Sequence, residues 1–303
     1  MRVIVLGSGG TIPTQTRNLP SFALKRDGEL LLFDCGEGTQ LQLMGAKLGF
    51  GPLERICISH LHGDHVTGIP GLLMTLGQSN REKPLTIHGP PGIDTFIQSI
   101  MKNLSIHLHY QVHVAEIEKG LVHNNSHYRI ESVPADHNIF TLAYAFIEAE
   151  RPGRFDVTKA RELGVPPGPL YRALQEGKDV RSGDGRIVRS SDIVGPPRPG
   201  RKVVYALDTR PCSAVVELAR GADVLIHDAM FTEELQAEAN ERGHSTARQA
   251  AEIAQQAVVG QLILAHISPR YETAKELLDE ALSIFTETRV GEDSMGVEIP
   301  VHK

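Results

Sequence analysis

The stretch Ser59-His60-Leu61-His62-Gly63-Asp64-His65 decides how this chain is read. It follows the apolar run Ile56-Cys57-Ile58, so the histidines arise where a strand ends. In a helix, residues two apart point about 200° away from one another, whereas at a strand end i and i+2 face the same way. His60 and His62 therefore converge only on a strand end or loop. Gly63 lets the chain turn and bring Asp64 and His65 to a second position beside the first. Three imidazoles and a carboxylate within six residues form a donor set suited to Zn2+ or another borderline divalent ion.

Outward from this stretch, other apolar runs end on a residue of the same kind: Leu31-Leu32-Phe33-Asp34, Val203-Val204-Tyr205-Ala206-Leu207-Asp208, Val224-Leu225-Ile226-His227-Asp228 and Leu262-Ile263-Leu264-Ala265-His266. Asp136-His137, after Ser132-Val133-Pro134, is a fifth. Strand ends gathered at one edge of a sandwich place all of these around one cleft. Of the 14 histidines, His107, His109 and His113 form a second H-x-H run. That run lacks the adjoining Asp-His and the glycine turn, and reads as a strand with one polar face.

Composition agrees with a mixed αβ protein. The 303 residues are 41% hydrophobic and 22% charged, which suits one globular domain spanning 1–303, and 29 Gly with 18 Pro favour many turns. Runs at 2–6, 21–25 and 29–34 read as an antiparallel meander. Further strands are expected at 56–59, 85–88, 128–133, 141–147, 203–207, 224–226 and Leu262–Ala265. Helical periodicity marks 71–76, 92–101, 213–220, 246–257 and 273–285. Two sheets packed together with helices outside are expected. No apolar run reaches the ~18 residues of a membrane span, and the N-terminus reads as a strand, not a signal peptide. Three cysteines, Cys35, Cys57 and Cys212, make neither a disulfide framework nor a CxxC site, which fits a reducing cytoplasm.

Residues 151–202 differ in character. These 52 residues hold 8 Gly, 7 Pro, 12 Lys+Arg and 6 Asp+Glu, a net of +6 that leaves −12 on the remainder of a chain whose total is −6. Such a segment is hard to fit into a sheet and reads as a basic insertion. The total charge alone argues against a nucleic-acid partner; its segregation does not.

The histidine stretch resembles the H-x-H-x-D-H signature of the metallo-β-lactamase superfamily. The order of motifs resembles its ribonuclease Z branch: Leu6-Gly7-Ser8-Gly9-Gly10 with Pro13 and Arg17-Asn18, Phe33-Asp34-Cys35-Gly36-Glu37-Gly38-Thr39-Gln40, Asp208-Thr209-Arg210, His227-Asp228-Ala229-Met230-Phe231, Gly243-His244-Ser245-Thr246 and His266-Ile267-Ser268-Pro269-Arg270-Tyr271. The resemblance runs along essentially the whole chain. It implies an αβ/βα four-layer sandwich with a protruding arm, the arm being 151–202, where Val165-Pro166-Pro167-Gly168-Pro169-Leu170-Tyr171 is similar to the family's Gly-Pro motif.

That resemblance implies two Zn2+ per subunit, with His60, His62 and His137 on one, Asp64, His65 and His266 on the other, and Asp208 bridging. It implies a zinc-dependent endoribonuclease that removes 3′ trailers from precursor tRNA by metal-activated hydroxide attack on a phosphodiester, leaving a 3′-hydroxyl. Asp64 is implied to orient the water, and His244 with Asp228 to protonate the leaving oxygen. Asp34 is expected behind a ligand histidine. Expected substrate contacts are Arg17, Asn18, Ser268 and Arg270, with Arg172, Lys178, Arg181 and Arg186 on the arm. Gln15 stands where the family often carries Lys in P-x-K-x-R-N, a motif associated with sensing the CCA end. A homodimer, each arm serving the partner's cleft, is expected. The alternative is a general zinc phosphodiesterase or arylsulfatase-like hydrolase of the same superfamily.

Overall fold

A computed structural model describes residues Met1–His302. In chain order its strands are β1 (Arg2–Gly7), β2 (Ser21–Arg26), β3 (Glu29–Phe33), β4 (Leu53–Cys57), β5 (Leu85–Gly89), β6 (Val112–Glu116), β7 (Gly120–Asn124), β8 (Tyr128–Ala135), β9 (Thr141–Glu148), β10 (Val180–Arg181), β11 (Ile187–Val188), β12 (Lys202–Ala206), β13 (Val224–Asp228), β14 (Leu262–Ala265), β15 (Thr288–Val290) and β16 (Gly296–Glu298). Two seven-stranded sheets result, ordered β16-β1-β2-β3-β4-β5-β6 and β15-β14-β13-β12-β9-β8-β7.

The expected meander forms: β1, β2 and β3 pair antiparallel, with Val3 opposite Leu24 and Leu24 opposite Leu31. From β3 to β6, and from β12 to β15, the strands run parallel. Parallel strands are covered on both faces, which is why they read as unbroken apolar runs. On the outer face of the first sheet, Leu72, Leu73, Leu76, Ile93 and Ile97 of helices Ile69–Gln78 and Ile93–Asn103 pack on Ile4, Leu32, Ile56 and Ile87. On the second, helices Ser213–Ala219, Ala247–Gln256 and Lys275–Leu282 bury Val215, Ile253 and Leu277 against Val204, Leu225 and Leu264. Aromatic rings fill the layer between: Phe33 stacks on Tyr205 at 5.1 Å, with Phe22 and Tyr144 beside them. Helix, sheet, sheet and helix make the four layers.

One expected strand is absent. The H-x-H run at 107–113 enters a strand only at Val112. The preceding helix ends in a Schellman arrangement, with Ser105 at φ 50, its N–H on Lys102 O and that of Ile106 on Met101 O, so the chain turns where alternation alone predicts extension.

Residues Glu148–Arg201 form a second compact unit with Ser126–Tyr128, Val301 and His302. Within it, helices Val157–Glu162, Pro169–Gln175 and Ser190–Ile193 and the β10–β11 hairpin bury Ala160, Val165, Leu174, Val180, Val188 and Ile193. The segment expected to resist a sheet thus holds a two-stranded hairpin and a small core. Among the described residues, no helix is long and apolar enough to cross a membrane.

Candidate metal centre

Three strands end in a left-handed residue. Asp34 after β3, Asp208 past β12 and His266 after β14 have φ of 56°, 53° and 58°. Asp and His are among the side chains enriched in this region, although each such residue costs of order 1 kcal/mol or more. The turn swings the backbone away and leaves the side chain in the cleft. β4 leads through Ile58 and Ser59 into His60, and the short helix Gly63–Val66 carries Asp64 and His65, with His62 at its N-cap. β8 ends at Ala135, just before Asp136 and His137.

Seven side chains converge in two groups. His60 Nε2 and His62 Nδ1 are 3.0 Å apart, His62 Nδ1 and His137 Nε2 3.3 Å, and Asp208 Oδ2 lies 3.4 and 3.8 Å from His60 Nε2 and His137 Nε2. In the second group Asp64 Oδ2 is 3.6 Å from His65 Nε2 and 3.4 Å from His266 Nε2, while Asp208 Oδ1 is 3.2 and 3.3 Å from the same nitrogens. Four ligands set tetrahedrally at zinc distances have edges of about 3.3 Å, so both groups have the spacing of a coordination shell. Asp208 gives one oxygen to each. His65 Nε2 and Asp208 Oδ1 are buried with no hydrogen-bond partner, as ligand atoms are. The residues present therefore fit two divalent ions sharing one carboxylate.

Asp34 sets the tautomers behind this. Its carboxylate, fully buried, accepts from Ser59 N–H (2.6 Å), Ser59 Oγ (2.7 Å), His65 Nδ1 (2.6 Å) and Tyr205 Oη (2.6 Å). Because the Ser59 hydroxyl spends its proton on Asp34, it accepts from His60 Nδ1 at 2.9 Å. His137 Nδ1 likewise donates to Gly243 O at 2.7 Å. In all three rings a proton sits on Nδ1, which leaves the Nε2 lone pair of His60 and His137 facing the centre; for His65 burial works against charge, but the Asp208 and Asp34 carboxylates prevail and raise the imidazole well above its ordinary range, so its Nε2 gives up a proton when an ion binds. Burial drives His60 down to about 4, so it stays neutral. For Asp64, burial acts upward, but His266 and His65 outweigh it and hold the carboxyl below its ordinary range.

His244 Nδ1 donates to Asp228 Oδ2 at 2.8 Å, and Asp228 also accepts from the N–H groups of Thr209 and Met230 at 3.1 Å each. The His244 ring lies parallel to His266 at 5.0 Å and 5.1 Å from His137. Burial works against its charge, yet the Asp228 carboxylate prevails and lifts His244 to about 9. A ring nitrogen of His244 lies within 4.8 Å of ligand atoms of Asp208 and His266, so the imidazole stands beside both ligand groups.

A family model described as the beta-lactamase superfamily domain matches residues 180–267, and one described as anti-Pycsar protein Apyc1 matches 1–146. A protein named ribonuclease Z from Methanosarcina acetivorans is 45% identical over 301 residues, covering 99% of this chain and 98% of its own length. Another so named, from Methanothermobacter thermautotrophicus, is 45% identical over 304 residues, covering 100% and 98%. The chain belongs to the ribonuclease Z family. The crystal structure of human tRNase Z, short form, superposes with a TM-score of 0.72 at 26% identity, covering 99% of this chain and 100% of that one.

Not every residue that the ribonuclease Z pattern singles out lies open to a ligand. Arg17 Nη1 donates to Ser8 Oγ (2.7 Å) and Gly291 O (2.5 Å), and Asn18 donates through N–H and Nδ2 to Asp293, so both side chains pin the 291–293 turn. Arg270 is held by Glu238 through two hydrogen bonds and lies 4.9 Å over the Phe231 ring; Ser268 is buried. In the second unit Arg172 and Lys178 share Glu176, Arg186 pairs with Asp184, and Arg181 donates to Gly185 O.

The structure adds residues to which spacing gave no role. A Cβ at Gly10 would lie 2.5 Å from His266 Nδ1, and one at Gly243 2.5 Å from His137 Nδ1, so each glycine seats one ligand ring. Thr11, β-branched at φ 66°, donates its N–H to Asp64 Oδ2 at 3.0 Å. Tyr205, in the middle of an apolar run, completes the Asp34 acceptor set.

Proposed function

We propose that this protein is a two-zinc endoribonuclease that removes 3′ trailers from precursor tRNA and leaves a 3′-hydroxyl on the tRNA. The observation that carries the reading is the pair of ligand groups joined by Asp208 beside the His244–Asp228 dyad, in a chain alike over its full length to proteins named ribonuclease Z. His60, His62 and His137 would hold one ion, Asp64, His65 and His266 the other, with Asp208 between them. Bound zinc lowers the pKa of a water towards ~7 and neutralises the phosphate's non-bridging oxygens. Asp64, fixed by the Thr11 N–H, orients the attacking water. His244 gives its proton to the departing 3′ oxygen, and Asp228 stabilises the imidazolium until that happens.

Residues 151–202, net +6, serve as the tRNA-binding arm. The Arg172, Lys178 and Arg186 ion pairs are exposed and solvent-screened, so phosphate displaces Glu176 and Asp184 at little cost. A cytoplasmic homodimer is the working form, in keeping with three free cysteines.

The test is incubation of the zinc-loaded protein with a 3′-extended precursor tRNA, with and without CCA, followed by mapping of the product ends. A single cut at the base of the acceptor stem, abolished by chelation, is expected. Turnover of bis(p-nitrophenyl) phosphate with the precursor left intact would replace this reading with that of a general phosphodiesterase.

A further inference from the structure

We propose that Arg210 is a positioning residue that locks the proton donor His244 to the metal-binding loops; the inference rests on the phosphodiester-cleaving reading above. Arg210 lies two residues beyond Asp208. Its backbone N–H donates to Asp136 O at 2.7 Å, Nη1 to Asp136 Oδ1 at 3.1 Å, Nη2 to Asn138 Oδ1 at 2.6 Å, and Nε to Asn240 O at 2.6 Å. Asn138 Nδ2 donates in turn to Glu241 O at 3.2 Å. Asn240 and Glu241 belong to the last turn of helix Gln236–Arg242, where carbonyls lack i+4 partners, and Asn240 O also accepts from the Gly243 N–H at 3.3 Å. Gly243 ends that helix at φ 83°, its carbonyl receives His137 Nδ1, and His244 comes next.

One guanidinium therefore joins three segments: the turn bearing Asp208, the loop bearing His137, and the helix end that presents His244. The planar fork of Arg reaches all three at once, which the point charge of Lys does not. His137, between Asp136 and Asn138 and bonded to Gly243 O, shares the clamp with His244, whereas His60 and His65 have supports of their own in Ser59 and Asp34. What depends on Arg210 is where His244 stands relative to them. A proton donor out of place penalises a leaving group that needs a proton and spares one that does not.

The decisive measurement compares Arg210→Ala with wild type on precursor tRNA, on diphenyl phosphate and on bis(p-nitrophenyl) phosphate, with zinc content and thermal melting recorded for each protein. On the first two substrates kcat is expected to fall roughly ten- to a hundred-fold with KM little changed, and on bis(p-nitrophenyl) phosphate by less than about three-fold. Millimolar guanidinium should restore part of the loss, and Arg210→Lys should remain impaired. Asn138→Ala, a milder cut in the same clamp, should show the same ordering of substrates and guards against a variant that does not fold. Equal losses on all substrates, loss of zinc, or unchanged turnover in a folded Arg210→Ala protein would overturn the proposal. A wild-type protein that hydrolyses both small diesters but leaves the precursor uncut defeats the tRNA reading, while the small-diester contrast still decides the clamp.

Discussion

Replacing Asp34 by Asn removes one charge from a site where four donors, none reached by water, meet a single carboxylate. Three of them, Ser59 Oγ, His65 Nδ1 and Tyr205 Oη, fall on Oδ2, so the amide oxygen takes that side and its NH2 group is turned on the Ser59 N–H. At least one charge-assisted hydrogen bond is lost outright and the other three are weakened. At roughly 1.5–3 kcal/mol for a hydrogen bond to a charged group, together with a stranded buried N–H, the metal-free protein should lose about 2–5 kcal/mol. Because Asp34 fixes the tautomer of His65 directly and of His60 through Ser59, both ligand groups feel the change. Zinc affinity at each should fall about 10–100-fold. Urea unfolding of the metal-free variant gives the first number and competitive chelator titration the second. Retention of both zinc ions within about three-fold of wild-type affinity would show that the tautomers are not set by Asp34, and the chain of hydrogen bonds described here would lose its meaning.

Gly10→Ala forces the His266 ring aside and should weaken zinc at the Asp64–His65–His266 group selectively; metal counting on the purified variant checks it, and an unchanged content of two would contradict the packing. Gly243→Ala adds the cost of φ 83° to a clash with His137 and should also lower the melting temperature, as read by circular dichroism. His244→Ala should slow precursor cleavage about 10²–10⁴-fold and bis(p-nitrophenyl) phosphate hydrolysis far less, measured as kcat on each. Deleting residues 151–202 should raise KM for precursor tRNA and leave small-diester hydrolysis intact in steady-state assays.

Much of the centre was legible because its ligands stand where an apolar run stops. His60, His62, Asp208 and His266 follow strands whose side chains alternate with period two, so a polar residue at the end is conspicuous and its direction is predictable. The parts that were not legible depend on partners far along the chain. Arg17 and Asn18 read as substrate contacts because Gly291 and Asp293, which hold the pair, lie more than 270 residues away. Gly10 and Gly243 gain their meaning only from the histidines they face. Tyr205 is one more aromatic in a core run until Asp34 is brought to it. In the second unit, helices of six and seven residues are too short to establish a 3.6-residue period, so the small core around Leu174 stayed hidden beneath Gly and Pro. At 107–113 a helix cap overrode a clean alternation.

The left-handed turns at Asp34, Asp208 and His266 carry a consequence for metal exchange. Main-chain torsion fixes the Cα–Cβ direction of these residues whether or not an ion is bound, so the backbone of the empty and filled centres should share one shape. Such a socket discriminates among Zn2+, Mn2+ and Co2+ by ligand chemistry and supply, with little contribution from remodelling.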